Sequence, residues 1–467
     1  MPLSAADYYL DAAVRTRVLE FCGAEAGGEP TAAYIVAFDK HARPLPTWET
    51  ARRLPAAAVP WADGGDLSRS LWDTSHLIYF IELDYLNVDQ HDEPFRYPAD
   101  VFLKLEPTYQ AARMVFARFG IGARMYASGR GYHFIGTIGL WDPHNDELAA
   151  LVPATPGWWH GHDARRPPGV TAALPERQAR AADGLGLLIE YTAHLLLREA
   201  RRASPTPVVF NGTKVGRGLN GRACVSIDFS HAGDPLDTRH VRTGFSTYQW
   251  HRYRPDIFGD RVATEVPPMA VVPRHDRALL ALLADGRSLS SSRDLAQTTS
   301  AVLPEVSGGV AELLQHYRRS SLAAFHQRFL GEVASGQPGS VDLALPPLPR
   351  CGLEPLEMPN DRLLQPAQVQ HVTRMLLVRG WEASRIAALA HACYEADHGW
   401  SDRWQRLHAQ TRAAFDVRVF AGMVESGLDS LIDFNCVSAQ EKDLCPGLVC
   451  HHNLVEDRDR LRARRTA

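Results

Sequence analysis

The sequence contains no apolar run that approaches the length needed to cross a bilayer. Its first 21 residues include Asp7, Asp11 and Glu20 and have no apolar core, so we expect no signal peptide there. The seven cysteines are odd in number and too sparse for a disulfide scaffold. These absences predict a cytoplasmic protein with no membrane partner, in which a subset of the cysteines is available to bind metal.

Positive charge is not in excess either, since 50 Lys and Arg face 54 Asp and Glu and the formal net charge is −4. A role in nucleic-acid binding therefore cannot be inferred from overall charge. Acidic residues are locally scarce, however, because none lies between Glu106 and Asp142. That stretch contains four arginines, Arg113, Arg118, Arg124 and Arg130.

The residues that are present are typical of a globular protein with more than one domain. The chain is 45% hydrophobic and 22% charged, and its 467 residues predict two or three domains. Composition and pattern divide it into a mixed region at 1–270, a helical connector at 271–350 that ends in a Pro/Gly linker from Gly336 to Arg350, and a mainly helical region at 351–467.

Three local patterns lead to specific structural expectations. Pro107 predicts the start of a helix over Thr108 to Phe119, because proline is favoured in the first helical turn. The serine-rich run Ser288 to Ser292 is expected to interrupt a helical pattern that extends from Asp276 to Glu332. The charged tail from Glu456 is expected to fray.

Ile78 to Asp84 reads Ile-Tyr-Phe-Ile-Glu-Leu-Asp and has the composition of a buried strand. Glu82 and Asp84 occupy alternate positions, so their side chains point to the same face, with backbones roughly 7 Å apart. Two desolvated carboxylates on one face need a partner, and a divalent metal pair fits best. The alternative is a solvated edge strand on which the two carboxylates have no special role.

Ser128 to Phe134 reads Ser-Gly-Arg-Gly-Tyr-His-Phe and lies between two predicted strands, Arg124 to Ala127 and Tyr132 to Leu140. Such a hairpin offers a hydroxyl, flexible backbone amides, a guanidinium and an imidazole. Amide nests and arginine forks bind phosphate oxygens, so this set suits a polyphosphate.

A third short motif, Val225 to Asp228, reads Val-Ser-Ile-Asp and predicts a strand that ends in one carboxylate. Three carboxylates that hold two metal ions could bridge an attacking hydroxyl and a nucleoside triphosphate. Taken singly, Asp228 could cap a strand, Arg130 could be a surface turn residue and His133 a satisfied core histidine.

The three motifs, in this order, resemble the archaeo-eukaryotic primase (AEP) superfamily, and the resemblance spans about residues 75–250. It implies an α+β fold, with a modified RNA-recognition-motif-like antiparallel sheet flanked by helices. The implied ligands of Mg²⁺ or Mn²⁺ are Glu82, Asp84 and Asp228. The implied contacts to nucleotide phosphates are Ser128, Arg130, His133 and, further downstream, Arg242. The chain departs from the family pattern at Glu82, where many members have Asp, and at Tyr248 and Trp250, where His and Lys are common.

Four cysteines form a second constellation, Cys351, Cys436, Cys445 and Cys450, with spacings of 85, 9 and 5 residues. No tight Cys-x-x-Cys pair of the kind found in zinc sites is present. Four thiolates spread over a helical region suit a [4Fe-4S] cluster, with Zn²⁺ or unliganded buried cysteines as alternatives. Their order also resembles the iron–sulfur domain of the primase large subunit, although the last three are more closely spaced.

These resemblances imply a DNA primase or primase-polymerase that synthesises primers on single-stranded DNA from NTPs or dNTPs, with a helicase or other replication or mobile-element proteins as further partners. A metal-dependent nuclease is the rival enzyme, but it would not need the phosphate-binding hairpin. A non-catalytic single-strand-binding initiation factor is the other alternative, and it would not need the three carboxylates.

Overall fold

The computed structural model of the chain describes residues 3–25, 28–38, 52–54, 58–153, 175–219, 221–233, 240–274, 277–335, 344–357, 362–395, 409–447 and 450–466. Most of the predicted Pro/Gly linker lies outside these residues. None of the helices described is long and apolar enough to cross a membrane.

The strands are β1 (Ile35–Ala37), β2 (Arg52–Leu54), β3 (Leu67–Ser70), β4 (His76–Asn87), β5 (Arg124–Ala127), β6 (Gly131–Gly139), β7 (Val208–Phe210), β8 (Ala223–Asp228), β9 (His240–Arg242), β10 (Thr247–Tyr248), β11 (Met269–Ala270) and β12 (Val272–Pro273). The helices of the first 335 residues are α1 (Ala5–Leu10), α2 (Ala12–Phe21), α3 (Glu93–Arg96), α4 (Pro98–Arg118), α5 (His144–Ala149), α6 (Glu176–Ala203), α7 (Trp250–Tyr253), α8 (Pro255–Phe258), α9 (Asp260–Glu265), α10 (Leu279–Arg287), α11 (Leu289–Thr298), α12 (Ser307–Tyr317) and α13 (Ser321–Ser335). The remaining helices are α14 (Arg350–Glu357), α15 (Pro366–Val378), α16 (Ala383–Glu395), α17 (Ala409–Glu425), α18 (Cys436–Glu441) and α19 (Leu454–Thr466). Short 3₁₀ helices cover Trp61–Asp63, Ser230–Gly233 and Arg362–Leu364.

The largest sheet has six strands in the order β12-β5-β6-β4-β8-β7. All neighbours are antiparallel except β7 and β8, which are parallel. The longest strand, β4, lies between β6 and β8 and is almost wholly buried, which explains its continuous apolar composition. Tyr79 on β4 donates a hydrogen bond to Thr192 of α6 (2.9 Å) and packs against Phe116 of α4. The expectation of mixed α and β structure is therefore confirmed.

A second, four-stranded antiparallel sheet has the order β2-β1-β3-β9. It brings β9, which carries Arg242, beside β3, although about 170 residues separate the two strands. The short pair β10 and β11 leads back to β12, which belongs to the six-stranded sheet. That sheet therefore includes Val272 and Pro273, just beyond the predicted end of the first region at 270.

The expected helix start at Pro107 is wrong, because α4 begins at Pro98 and contains Pro107 in its interior. An internal proline costs about 3 kcal/mol, partly through the hydrogen bond lost to the carbonyl of residue 103. Each fully buried large apolar side chain, such as Phe102 and Tyr109 on either side of it, contributes about 1.5–3 kcal/mol. Tertiary burial therefore outweighs the local signal.

Two further local expectations are corrected. The serine-rich run interrupts the helical pattern at one residue only: Ser288 caps α11 by accepting a hydrogen bond from the amide of Ser291 (3.2 Å). The charged tail does not fray, because α19 buries Leu454, Asp457 and Leu461, and Arg379 contacts the Asp457 carboxylate at 3.2 Å. Apolar residues spaced seven apart sufficed to dock this strongly charged helix.

The C-terminal helices share a hydrophobic core with the rest of the chain. Helix α17 packs against α13, α15 and α16. Its Phe415 ring lies 6.0 Å from that of Phe229, which follows β8. Its Arg418 forms a buried ion pair with Glu190 of α6 at 2.9 Å. The core therefore continues across the predicted boundary at 350.

Candidate functional site

Strand register brings the predicted carboxylates into one row on the six-stranded sheet. Glu82 at the centre pairs with His133 on β6 and with Asp228 on β8. Residues directly opposite one another in antiparallel strands share a face, with Cβ atoms about 4.5–5.5 Å apart. Asp84 lies two residues further along β4, on the same face. The structure thus brings together residues that are up to 146 positions apart in the sequence.

Two of the carboxylates are paired with cationic or imidazole groups. Asp84 Oδ2 accepts a hydrogen bond from the Arg130 guanidinium, which lies in the turn between β5 and β6. Glu82 Oε1 lies 3.0 Å from His133 Nε2. The hairpin residues and the carboxylate pair are therefore direct neighbours, as the motif order had suggested.

The third carboxylate, Asp228, has a different partner. Its Oδ1 accepts hydrogen bonds from the backbone amide (2.9 Å) and the hydroxyl (2.6 Å) of Ser230. Among the residues described, no three His, Cys, Asp or Glu side chains are grouped so that they could hold a metal ion. At the carboxylate row, hydrogen bonding explains why no such group forms. Each carboxylate is oriented toward its own partner, so cation binding would require the side chains to rotate.

Burial raises the pKa of Asp84 to about 6. The Arg130 charge opposes this rise, whereas the neighbouring Glu82 and Asp228 carboxylates add to it. Asp84 Oδ1 is buried and has no hydrogen-bond partner among the described residues. A desolvated carboxylate beside two others, with one oxygen free, has the properties expected of a cation ligand.

Two more buried polar atoms at the site have no hydrogen-bond partner among the described residues, namely His133 Nδ1 and Arg242 Nε. Buried polar groups in folded proteins are nearly always hydrogen-bonded, and leaving one unpaired costs about 1–3 kcal/mol. Together with Asp84 Oδ1, they give the site three buried polar atoms without a hydrogen-bond partner among the described residues.

The glycine-rich turn is held close to two strands. A Cβ atom on Gly131 would lie 1.8 Å from the Leu83 carbonyl oxygen, and one on Gly129 would lie 2.4 Å from the Tyr248 ring. Ser128 donates its hydroxyl to the Gly131 carbonyl at 3.3 Å, so in this state it stabilises the turn. Because these neighbouring atoms lie so close, only glycine fits at either position, and the motif alone did not reveal this constraint.

Arg242 reaches the site from the second sheet. Its guanidinium lies 4.3 Å from the centroid of the Tyr248 ring and 3.0 Å from Asp66 Oδ2. Asp66 is fully buried and also accepts hydrogen bonds from the Thr247 hydroxyl (2.9 Å) and the Gln249 amide (3.1 Å). Asp66 thus holds Arg242 against the aromatic ring, a role that the sequence gave no reason to expect.

Tyr248 lies between the two halves of the site. Burial raises its pKa to about 12; the charges of Arg130 and Arg242 oppose this rise, and those of Asp84 and Glu82 add to it. Its ring therefore shares its surroundings with both arginines and both carboxylates of β4. It was noted in the sequence only as a departure from a family pattern, and its position became evident from the packing against Gly129.

The four predicted cysteines lie in the C-terminal region, where Cys436 and Cys445 pack against the small hydrophobic cluster that contains Cys351. Burial raises the pKa of the Cys351 thiol to about 12, and the neighbouring Cys445, Cys450 and Cys436 add to this rise. Cys436 donates its thiol to the His452 carbonyl at 3.8 Å. Apolar side chains such as Met375 and Leu444 surround Cys351. Cys450 is exposed, and the four side chains are not grouped in this structure so that they could hold a metal ion.

None of the seven cysteines, all of which lie among the described residues, forms a disulfide bond. Cys22 and Cys224 are buried, and burial raises the pKa of each thiol to about 12. Cys393 contacts the Leu356 carbonyl at 3.9 Å and is not among the cysteines that act on Cys351.

Comparison of the chain with protein-family models, curated proteins and solved structures finds no match. Its function is inferred from its own residues.

Proposed function

We propose that this chain is a template-directed nucleotidyltransferase, a DNA primase or primase-polymerase of the AEP type that acts on single-stranded DNA with NTPs or dNTPs. The observation that supports this best is the row of Glu82, Asp228 and His133 across three adjacent strands. Asp84 and the Arg130 turn complete it on the same face. Carboxylates that could bind cations lie there beside an imidazole and a guanidinium that could bind anions, as a metal–triphosphate complex requires.

Glu82, Asp84 and Asp228 would hold Mg²⁺ or Mn²⁺, hard cations that prefer carboxylate oxygens. A pair of such ions supplies charge stabilisation at the attacking and leaving oxygens of a phosphoryl transfer. Asp84 offers its unpartnered Oδ1, and Asp228 would release the Ser230 hydroxyl. The carboxylates would thereby set the position at which the primer hydroxyl meets the α-phosphate.

Arg130 has a defined part in this proposal. In the ligand-free chain it neutralises Asp84. With divalent cations held by the carboxylates, the guanidinium would be available to a triphosphate oxygen, to which it would donate a charge-assisted hydrogen bond. His133, through its unpartnered Nδ1 when protonated, and Arg242, through its unpartnered Nε, would add donors from two other elements. Ser128 would exchange its bond to Gly131 for one to phosphate.

The C-terminal region would hold a [4Fe-4S] cluster, or alternatively Zn²⁺, through Cys351, Cys436, Cys445 and Cys450. Metal binding by these thiols contributes folding energy to the region that carries them. Protein purified without oxygen is expected to be brown, with about four iron and four sulfide per chain. Cys22→Ser, the matched control, is expected to keep the metal. A colourless, zinc-loaded protein would exclude the cluster in favour of the alternative.

The reaction is tested by incubating full-length protein with a primed single-stranded template, Mg²⁺ or Mn²⁺ and labelled NTPs or dNTPs. Wild type is expected to incorporate label, whereas Asp84→Asn and Asp228→Asn are expected to lose at least about 100-fold in rate because the cations are no longer held. Asp146→Asn, on an exposed carboxylate of α5, is the control that keeps full activity.

Three outcomes of this assay contradict the proposal in different ways. Undiminished incorporation by folded Asp84→Asn would remove the carboxylates from the reaction. Degradation of labelled DNA without incorporation would support the nuclease alternative. Binding of single-stranded DNA with neither activity would support the initiation-factor alternative.

A further inference from the structure

The C-terminal region places a helix beside the carboxylate row. Helix α17 packs against the 3₁₀ helix Ser230–Gly233, which begins two residues after Asp228. The Phe415 ring of α17 lies 6.0 Å from that of Phe229, and a Cβ atom on Gly233 would lie 2.6 Å from the Phe415 ring. The first turns of α17 therefore lie against the chain that leaves Asp228.

Arg412 lies in the first turn of this helix, three residues before Phe415, so the two side chains share one helix face. Its Nε lies 2.7 Å from Oδ2 of Asp416, which is buried. Burial lowers the pKa of Arg412, but the charges of neighbouring groups, among them Asp228, outweigh burial and raise it. Arg412 is therefore close enough to the carboxylate row for the Asp228 charge to act on it.

Arg412 is held in the same way as Arg242. In each case a buried aspartate contacts the guanidinium, Asp416 at 2.7 Å and Asp66 at 3.0 Å. A guanidinium carries several N–H donors in a fixed plane, so one carboxylate contact leaves donors for a second anion. Fixing the side chain in advance also lowers the entropy cost of binding that anion. The aspartate in each pair thus orients the arginine without occupying all of its donors.

The two arginines lie on opposite sides of Glu82. Arg242 contacts the Tyr248 ring, which packs against Gly129 in the turn that leads into β6. Strands β6 and β8 flank β4 on opposite sides, and Arg412 lies on the β8 side, next to the chain that follows that strand. Guanidinium groups therefore lie at both ends of the carboxylate row.

A nucleotidyl transfer brings two anionic reactants together. One is the triphosphate, and the other is the strand whose terminal hydroxyl attacks it. The attacking and leaving oxygens lie roughly in line on opposite sides of the transferred phosphorus, so the two reactants approach the metal ions from different sides. The proposed triphosphate contacts of Arg130 and Arg242 occupy the β6 side. The β8 side is left for the strand.

We infer that Arg412 binds a backbone phosphate of the DNA strand that supplies the attacking hydroxyl, whereas Arg242 binds the triphosphate. The inference rests on the proposed function, because it assigns the two sides of the same site. Asp416 acts as the positioning residue of Arg412. The C-terminal region thereby contributes one residue to the nucleic-acid site.

Equilibrium binding of two probes to the full-length protein tests this assignment. The probes are a labelled primer–template DNA without triphosphate, and a non-hydrolysable triphosphate with Mg²⁺. Arg412→Gln is expected to bind the DNA about tenfold or more weakly than wild type and the triphosphate equally well. Arg242→Gln is expected to show the opposite pattern. Wild-type DNA affinity of Arg412→Gln, or a loss of triphosphate affinity in its place, would overturn the inference.

Salt dependence separates a phosphate contact from a merely structural role. Loss of one contact to duplex DNA is expected to reduce the slope of log affinity against log salt concentration by about 0.9. Arg412→Lys, which keeps the charge, is expected to retain the wild-type slope. The matched control is Arg328→Gln, which removes an exposed arginine paired with Glu425 of α17 and is expected to keep both affinity and slope. An unchanged slope in Arg412→Gln would count against a phosphate contact.

Arg412→Gln also removes the cation that the buried Asp416 contacts, which lowers stability. If the variant does not fold, Arg412→Gln/Asp416→Asn decides, since it removes the buried carboxylate charge as well. Weakened DNA binding by the folded double variant would support the inference, and wild-type DNA binding would overturn it.

Nucleotide incorporation is scored separately from these measurements. A protein that incorporates nucleotides, but whose Arg412→Gln variant binds DNA as wild type does, keeps the proposed reaction and loses this inference. A protein that shows the two opposite binding patterns but incorporates no nucleotide keeps the assignment of the two sides and loses the proposed reaction. A wild-type protein that does not bind the primer–template DNA loses the inference.

Discussion

Substitution of His133 distinguishes most directly between a structural and a functional role for a residue of the site. It is buried, contacts Glu82 and has an unpartnered Nδ1. We expect His133→Ala to weaken triphosphate binding by roughly tenfold to 150-fold, the worth of a hydrogen bond to a charged group. Equilibrium binding of a non-hydrolysable triphosphate measures this effect.

The matched control for that measurement is His144→Ala, which alters a partly exposed histidine paired with Glu147. Its triphosphate affinity is expected to be unchanged. If His133→Ala also binds triphosphate as wild type does while losing stability, His133 is a core histidine and the phosphate role is wrong.

Asp183 provides a test of pH dependence away from the carboxylate row. It lines a cavity of about 40 Å³ together with Arg180, Leu187 and Arg418. Burial raises the pKa of Asp183 to about 7, with the Arg418 charge opposing the rise. The unfolded value is about 3.9. Stability associated with protonated Asp183 is therefore present in full below about pH 4 and is lost as the pH rises through 7.

Asp183→Asn removes this titration. The melting temperature of the variant, relative to wild type, is expected to rise between pH 4 and pH 7 and to level off above that range, as followed by circular dichroism. Asp146→Asn, on an exposed carboxylate, should show no such trend. A difference for Asp183→Asn that does not change with pH would contradict the raised pKa of the Asp183 carboxyl group.

At the scale of elements, a buried charge network joins three helices. Glu190 of α6 lies 2.9 Å from Arg418 of α17 and 3.2 Å from His326 of α13. Burial disfavours the charged carboxylate, but Arg418 and then His326 outweigh it and lower the pKa of Glu190 to about 2. Removing one member leaves an uncompensated charge in the core, whereas replacing both avoids that cost.

Arg418→Met is therefore expected to lower the free energy of unfolding by about 3–5 kcal/mol. The double variant Glu190→Gln/Arg418→Met is expected to lose less than Arg418→Met alone. Urea unfolding of the single and double variants measures both values. Losses that simply add would show that the two side chains act independently, contrary to the contact at 2.9 Å.

At the scale of the whole molecule, the shared core decides how the chain can be divided. The C-terminal region supplies Phe415 and Arg418 to partners in the first region, Phe229 and Glu190. A chain that ends at residue 335 would expose that surface. We expect residues 1–335 to unfold about 10 °C or more below the full chain and to aggregate, since the loss of Arg418 alone is costly.

Scanning calorimetry with light scattering measures this prediction. A 1–335 fragment that unfolds cooperatively at the temperature of the full chain would show that the regions are independent, with a boundary near 350. If the fragment is unstable, the role of the C-terminal region has to be tested in the full chain, with substitutions such as Cys445→Ser.

The short-range features of this chain were evident from its sequence. Alternation along a strand has a period of two, so the common face of Glu82 and Asp84 follows from their positions alone. The hairpin at Ser128 to Phe134 is equally local, and in the structure it forms the turn from β5 and the first residues of β6. Selection of four of the seven cysteines depended on their order and spacing alone, and it stays a prediction.

Only the tertiary structure decided which of these local features meet. Pairing β4 with both β6 and β8 places His133 and Asp228 on either side of Glu82, and strand pairing over such separations leaves no periodic trace in the sequence. Asp66 holds Arg242 against Tyr248 for the same long-range reason. In the helix that contains Pro107 and in the C-terminal helix, burial of apolar side chains outweighs the local sequence preference. Local geometry thus determined what each motif offers, and long-range packing determined which motifs form one site.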